Sequence, residues 1–257
     1  MFWLDKKKLD EDTILDFLEY MSIKRKRSPA TMRMYIVTLK MFCREVKVDF
    51  PTVKSPHISL GKPKYLEKED FAKLYTEGAG DPLDKALLSV AYATGMRIGE
   101  VMTRKVKDLR IDDVRTAAVF VHGKTGEDTD AWLPLTKTAV LDIRTFFKWI
   151  GATGNDSMKP ENYVFPSPLN RNNHMSVSGA ETRLVQMFIR AGIEKPKGQA
   201  WHIVRHSRAT HLREDGVNIW DIKDLLRHTS IATTLRYAHT DTEKLRKAIS
   251  KDTETEV

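Results

Sequence analysis

His202-Ile203-Val204-Arg205-His206-Ser207-Arg208-Ala209-Thr210-His211, and after it Leu225-Leu226-Arg227-His228 and Thr233-Thr234-Leu235-Arg236-Tyr237, carry the reading of this chain. His202 and Arg205 stand three apart, which on a helix puts both on one face and lets both reach one phosphate. His228 lies nine residues before Tyr237, with Thr229-Ser230 as a cap between helices. Two further basic motifs lie upstream: Arg97 in Thr94-Gly95-Met96-Arg97-Ile98-Gly99-Glu100, and Lys124 in His122-Gly123-Lys124-Thr125-Gly126.

These residue types suit one reaction. Breaking a phosphodiester without a metal needs a nucleophile, positive charge on the non-bridging oxygens, an acid for the leaving oxygen and a base for the attacker. A tyrosine phenolate leaves more readily than a ribose alkoxide, so a covalent link to tyrosine is reversible. The guanidinium fork matches two phosphate oxygens and keeps its charge. Two arginines at a pentavalent phosphorus act as an oxyanion hole does, each donor worth roughly 3–4 kcal/mol. A lysine at a hairpin tip can reach the scissile bond.

Each residue alone has a plainer reading. Arg97 fits a surface ion pair, His228 a helix C-cap cation, and Tyr237 an ordinary core tyrosine. Gly123-Lys124-Thr125-Gly126 lacks the spacing of a nucleotide-binding loop and precedes a strand. His202, His206 and His211 suggest a metal cluster, but the H-E-x-x-H pattern is missing and no cysteine or acidic ligand is well placed. Neither a metal nor a cofactor is expected. The order and spacing of the set outweigh the separate readings.

Composition agrees. The 257 residues suit one large domain and a small one, and an apolar fraction of 41% supplies a core. A net charge of +8, with pI ≈ 9.4, attracts polyanions. One cysteine, Cys43, rules out an internal disulfide framework and fits a reducing compartment. Lys6-Lys7-Lys8 is not followed by an apolar stretch, and no run is long enough to span a membrane. A cytoplasmic protein close to DNA, with no membrane partner, is expected.

Residues 10–48 read as two helices. Ile14, Leu15, Phe17, Leu18 and Met21 form the apolar face of the first. Ser28-Pro29 starts the second, whose apolar positions are Met32, Ile36, Leu39, Phe42 and Val46. Between them Lys24-Arg25-Lys26-Arg27 is a basic turn; with Arg33 it makes the candidate DNA contacts here. Prolines 51, 56 and 63 mark a linker, giving a helical region at 1–62 and a second domain at 63–257. There, helices are expected at 67–75, from Asp81-Pro82 to Thr94-Gly95, near Arg97, and at 138–149, 178–191, 202–214, 218–227 and 230–249. Residues 116–121 and 131–135 read as a β-hairpin. The fold class is therefore mainly α with a small antiparallel β-sheet.

Residues 65–249 resemble the catalytic domain of the tyrosine recombinases, the phage integrase family, close to its Xer and integrase branches. The motifs around Arg97, Lys124, His202-x-x-Arg205, and His228 with Tyr237 carry the resemblance. It implies a topoisomerase-IB-like catalytic domain preceded by a short core-binding region, together forming a C-shaped clamp on double-stranded DNA. It further implies that Arg97 and Arg205 hold the scissile phosphate, Lys124 protonates the leaving 5′-oxygen, His202 manages the tyrosine proton, His228 bonds the phosphate, and Glu100 and His206 support them. The N-terminal region answers to about half of the family's core-binding domain, best at residues 28–46. Arg227 stands where the family usually has glycine; the turn is expected to adapt, with Arg227 meeting backbone phosphate. The implied function is conservative site-specific recombination through a 3′-phosphotyrosyl intermediate, without metal or ATP, in a tetrameric synapse. Supercoil relaxation and non-catalytic DNA binding are the alternatives. Residues 241–250, with Leu245, Ala248 and Ile249, form a tail expected to dock on a neighbouring protomer.

Overall fold

The computed structural model describes residues 10–57, 64–122, 130–152 and 159–237. The chain divides into two compact units, Met1–Gly61 and Lys62–Val257. The first is a helix pair. Helix α1 (Glu11–Glu19) starts where the Asp10 side chain accepts from Thr13 N, and ends in a π-helical turn, Tyr20–Lys24. Helix α2 (Pro29–Glu45) starts at Ser28, whose hydroxyl accepts from Thr31 N, with proline at the first helical position. Ile14, Leu18, Met32, Ile36 and Cys43 close the small core, and the Phe17 ring meets Tyr35 edge-on at 5.8 Å. The basic turn 24–27 and Arg33 are exposed. Lys26 adopts positive φ there.

The second unit is built around α4 (Pro82–Thr94), whose Leu87, Leu88, Val90 and Ala91 are buried. Asp81 caps it by accepting from Asp84 N at 2.8 Å. Asp84 is itself buried, and its charge is matched twice. Arg183 Nε donates to Oδ1 at 2.7 Å and Arg190 Nη2 to Oδ2 at 2.6 Å. Both arginines come from α7 (Val177–Arg190), so the ion triad ties the start of α4 to α7. The expected helix at 67–75 is α3 (Lys68–Lys73) running into a π-helical turn, Leu74–Gly78. Helix α5 (Ile98–Met102) follows the left-handed cap Gly95, and α6 (Lys137–Ala152) packs on α4.

The sheet has the order β1-β2-β3, all antiparallel, from β1 (Leu109–Arg110), β2 (Ala118–Val121) and β3 (Ala131–Pro134). Val119 faces Leu133 and both are buried; Phe120 faces Trp132 on the other side. This is the expected hairpin, extended by a two-residue strand that has no sequence signal. The Arg110 guanidinium stacks 3.7 Å from the Trp132 ring centroid.

Helices α8 (Ala200–Glu214) and α9 (Ile219–Leu226) complete the domain, followed by a short α10 (Ile231–Thr234) and the 3₁₀ turn Leu235–Tyr237. Helix α8 is pinned by the backbone of one residue. Leu66 N donates to Ser207 Oγ at 2.8 Å, and His211 Nε2 donates to Leu66 O at 2.8 Å. His211 Nδ1 pairs with the Tyr92 hydroxyl at 2.7 Å. The helix expected at 230–249 is thus described only through Tyr237. Lys124, the hairpin tip and the tail from residue 238 lie outside the described residues. No described helix is long and apolar enough to cross a membrane.

Candidate active site

Three helix ends and the exposed face of α8 meet in one place. Arg205 is at the centre, with 5% of its surface exposed. Its Nη1 donates to Gly95 O at 2.5 Å and its Nη2 to Leu226 O at 2.6 Å. Those carbonyls are at the C-termini of α4 and α9, where backbone dipoles favour a cation. Burial, then the charge of Arg97, lowers the Arg205 pKa to about 10, which leaves the guanidinium charged at neutral pH. Gly95 has φ 61, and a Cβ there would meet Leu226 Cδ2 at 2.7 Å. Only glycine allows the two helix ends to come this close.

Arg97 is the N-cap of α5. Glu100 Oε2 accepts from its backbone N at 2.8 Å and Oε1 from its Nη1 at 3.1 Å. The Arg97 side chain stays 40% exposed. Burial alone would raise the Glu100 pKa; the Arg97 N–H and the charges of Arg227 and Arg97 outweigh it and hold the carboxyl below its usual range.

His202 is on the exposed face of α8, one turn from His206, with ring centroids 6.5 Å apart. Partial burial and the Arg205 charge lower its pKa. Glu181 of α7 lies close by and accepts from Ala200 N at 2.6 Å, capping α8. His228 follows α9, and its Nδ1 pairs with Thr234 Oγ1 at 2.8 Å. Burial, then the charges of Arg205 and Arg97, depress the His228 pKa to about 4. Tyr237 is 4% exposed and packs with Ala209, Ile222 and Leu226. Its hydroxyl is hydrogen-bonded to His206 Nδ1. Burial, then the charge of Arg236, brings His206 to about 4, while burial raises Tyr237.

Arg97, Glu100, His202, Arg205, His206, His228 and Tyr237 are therefore brought together. Two placements differ from the sequence reading. The partner of the Tyr237 hydroxyl is His206, not His202. Both lie on one face of α8 at i and i+4, and only the tertiary position of the 3₁₀ turn selects between them. The sequence points Arg227 at a DNA phosphate, with its turn adapted. Instead the turn keeps its left-handed cap, with Arg227 at φ 52, and the side chain is turned inward onto Glu100 at 2.5 Å. Residues that sequence reasoning misses are Thr234, the partner of His228, and Glu181. The Thr233-Thr234 pair beside the tyrosine is the only signal for the first. No group of three or more His, Cys, Asp or Glu that could hold a metal occurs among the described residues.

The phage integrase family profile matches residues 64–244, well over half of the chain. The chain belongs to the phage integrase family. It is a tyrosine recombinase, of the family whose members cut and rejoin DNA by transesterification. Among its relatives, tyrosine recombinase XerD of Listeria monocytogenes is 28% identical over 247 residues, covering 91% of this chain and 80% of the relative. XerD of Yersinia pestis is 31% identical over 218 residues, covering 80% and 68%. The integrase-family fold is shared with XerH bound to palindromic difH substrate in a post-cleavage complex. That likeness has a TM-score of 0.70 at 18% identity, over 95% of this chain and 73% of XerH.

Proposed function

We propose that Tyr237 is the nucleophile of a site-specific recombination reaction on double-stranded DNA. The bond between its hydroxyl and His206 Nδ1 carries this reading. With its pKa depressed to about 4, the His206 ring is neutral near pH 7, and in the tautomer protonated on Nε2 its Nδ1 accepts from the tyrosine hydroxyl. In the attack, the Tyr237 oxygen bonds to phosphorus, its proton passes to His206, and the bond from phosphorus to the 5′-oxygen breaks. Lys124 supplies the proton that the leaving 5′-hydroxyl needs. Arg97, with its exposed guanidinium, and Arg205, fixed by two carbonyls, hold the non-bridging oxygens, and His228 donates to one of them.

The product is a 3′-phosphotyrosyl enzyme and a free 5′-hydroxyl, and the reverse reaction on a second duplex completes strand exchange. No step uses a metal or ATP. Lys24, Arg25, Lys26, Arg27 and Arg33 contact DNA phosphates from the first unit, and four protomers assemble around the paired sites. Such an enzyme works in the cytoplasm on chromosomal, viral or plasmid DNA.

The test is a nicked suicide duplex, incubated with the full-length protein in excess EDTA and resolved by denaturing electrophoresis. A covalent adduct, and strand transfer to a second labelled duplex, are expected. In a parallel assay on supercoiled plasmid, relaxation without strand transfer would reassign the protein to strand swivelling. Activity lost to EDTA and restored by zinc would overturn the metal-free chemistry.

A further inference from the structure

Arg227 occupies a position where a side chain is disfavoured twice. It caps α9 in the left-handed region, which glycine adopts freely and other residues rarely do. The hydrogen bonds that close the turn are made by backbone alone: Arg227 N donates to Asp224 O and His228 N to Lys223 O, both at 3.0 Å. Glycine would make the same bonds. The side chain is only 8% exposed, and its Nε is buried with no partner among the described residues. A buried unpaired N–H is unfavourable. Against these stands one side-chain hydrogen bond among the described residues, Nη2 to Glu100 Oε2 at 2.5 Å.

Glu100 is also the partner of Arg97. The carboxylate thus lies between two guanidiniums, and two arginines against one glutamate leave a net positive charge on the triad. With Arg97 as its only cation, the same carboxylate would neutralise the group that is to meet the phosphate. The contact also joins the turn that bears His228 to the start of α5, which bears Arg97. We infer that Arg227 is a positioning residue of the cleavage site. By sharing Glu100 with Arg97 it keeps the Arg97 charge available to the scissile phosphate and fixes His228 beside it. This rests on the reading of Arg97 and Tyr237 given above.

The experiment compares wild type with Arg227→Gly, Arg227→Lys and Glu100→Gln, and Arg227→Gly combined with Glu100→Gln. The probe is a nicked duplex selected from a random-sequence pool by covalent capture on the wild-type protein. Arg227→Gly relieves the left-handed backbone, so its urea stability should equal or exceed that of wild type. Its DNA affinity and the salt dependence of binding should be unchanged, while single-turnover cleavage slows by about tenfold. Arg227→Lys should recover part of the loss. In the Glu100→Gln background the glycine substitution should have little further effect, because Arg227 acts through that carboxylate. Cleavage by Arg227→Gly at the wild-type rate would overturn the inference. So would a loss that lysine does not relieve and that persists in the Glu100→Gln background. A lowered salt slope of binding would make Arg227 a direct phosphate contact instead. If wild type itself captures no DNA, the nucleophile assignment fails; if it does and Arg227→Gly cleaves at the same rate, that assignment survives and the positioning role alone falls.

Discussion

Replacing Gly95 with alanine perturbs the cleft through the backbone, and the structure sets the size of the effect. Gly95 sits at φ 61, a conformation that costs a non-glycine residue about 1–2 kcal/mol. The new Cβ would lie 2.7 Å from Leu226 Cδ2, about an ångström inside ordinary carbon contact. Leu226 is fully buried, so relief means shifting the end of α9, and overpacking of this kind costs about 1–3 kcal/mol. Together these give a loss of about 2–5 kcal/mol of folding stability. The same shift moves the two carbonyls that hold Arg205. Losing one hydrogen bond to a charged group costs about 1.5–3 kcal/mol, or about 10- to 150-fold in cleavage rate. Urea titration reads the first effect and single-turnover cleavage of a nicked duplex the second. A stability change below about 0.5 kcal/mol together with wild-type cleavage would refute the idea that the ends of α4 and α9 jointly set Arg205.

Three further outcomes are expected. His206 and His228 have pKa values of about 4 in the fold against an ordinary value of 6.5. The stability they contribute is therefore complete above pH 6.5 and is lost as pH falls towards 4; urea midpoints should drop over that window, less steeply for His206→Gln, and a pH-independent wild type would contradict the burial argument. Replacing Lys24, Arg25, Lys26 and Arg27 together with alanine should weaken binding to all DNA sequences alike, and the salt slope of log K should fall by up to ~0.9 for each phosphate no longer neutralised; a changed sequence preference at constant slope would mean that this turn reads bases. Lys124→Ala should lose cleavage and regain it on a substrate with sulfur at the bridging 5′-position, since a thiolate leaves without a proton; absence of rescue would reduce Lys124 to a phosphate contact.

Much of the fold can be read locally. Ser28-Pro29 and Asp81-Pro82 start helices because a capping oxygen precedes a residue with no N–H to satisfy. Thr94-Gly95 ends one because glycine takes the left-handed cap. The hairpin follows from alternating apolar positions facing each other across a polar turn. Strand β1 is not legible, since two residues carry no period, and it exists only because β2 offers an edge. The π-helical turns after α1 and α3 are equally silent in sequence. At the site, the closeness of His202 to the Arg205 charge follows from helical spacing. The pairing of Tyr237 with His206 does not, because the spacing puts both histidines on the same face. The charge of Arg227 misdirects: a basic residue near a phosphate site reads as a DNA contact, and nothing local reveals a carboxylate 127 positions away in the chain.

In the proposed reaction Tyr237 is the group that attacks phosphorus, and one measurement addresses it directly. Wild-type protein and Tyr237→Phe are each incubated with the nicked suicide duplex, digested with protease, and the peptide bearing the DNA is identified by mass spectrometry. The phenylalanine ring preserves the packing against Ala209, Ile222 and Leu226, so DNA binding should be retained. Attack by Tyr237 predicts a phosphotyrosyl bond on the peptide containing Tyr237 in the wild type and no covalent adduct in the variant. An adduct that persists in Tyr237→Phe, or that maps to another tyrosine such as Tyr163, would contradict it.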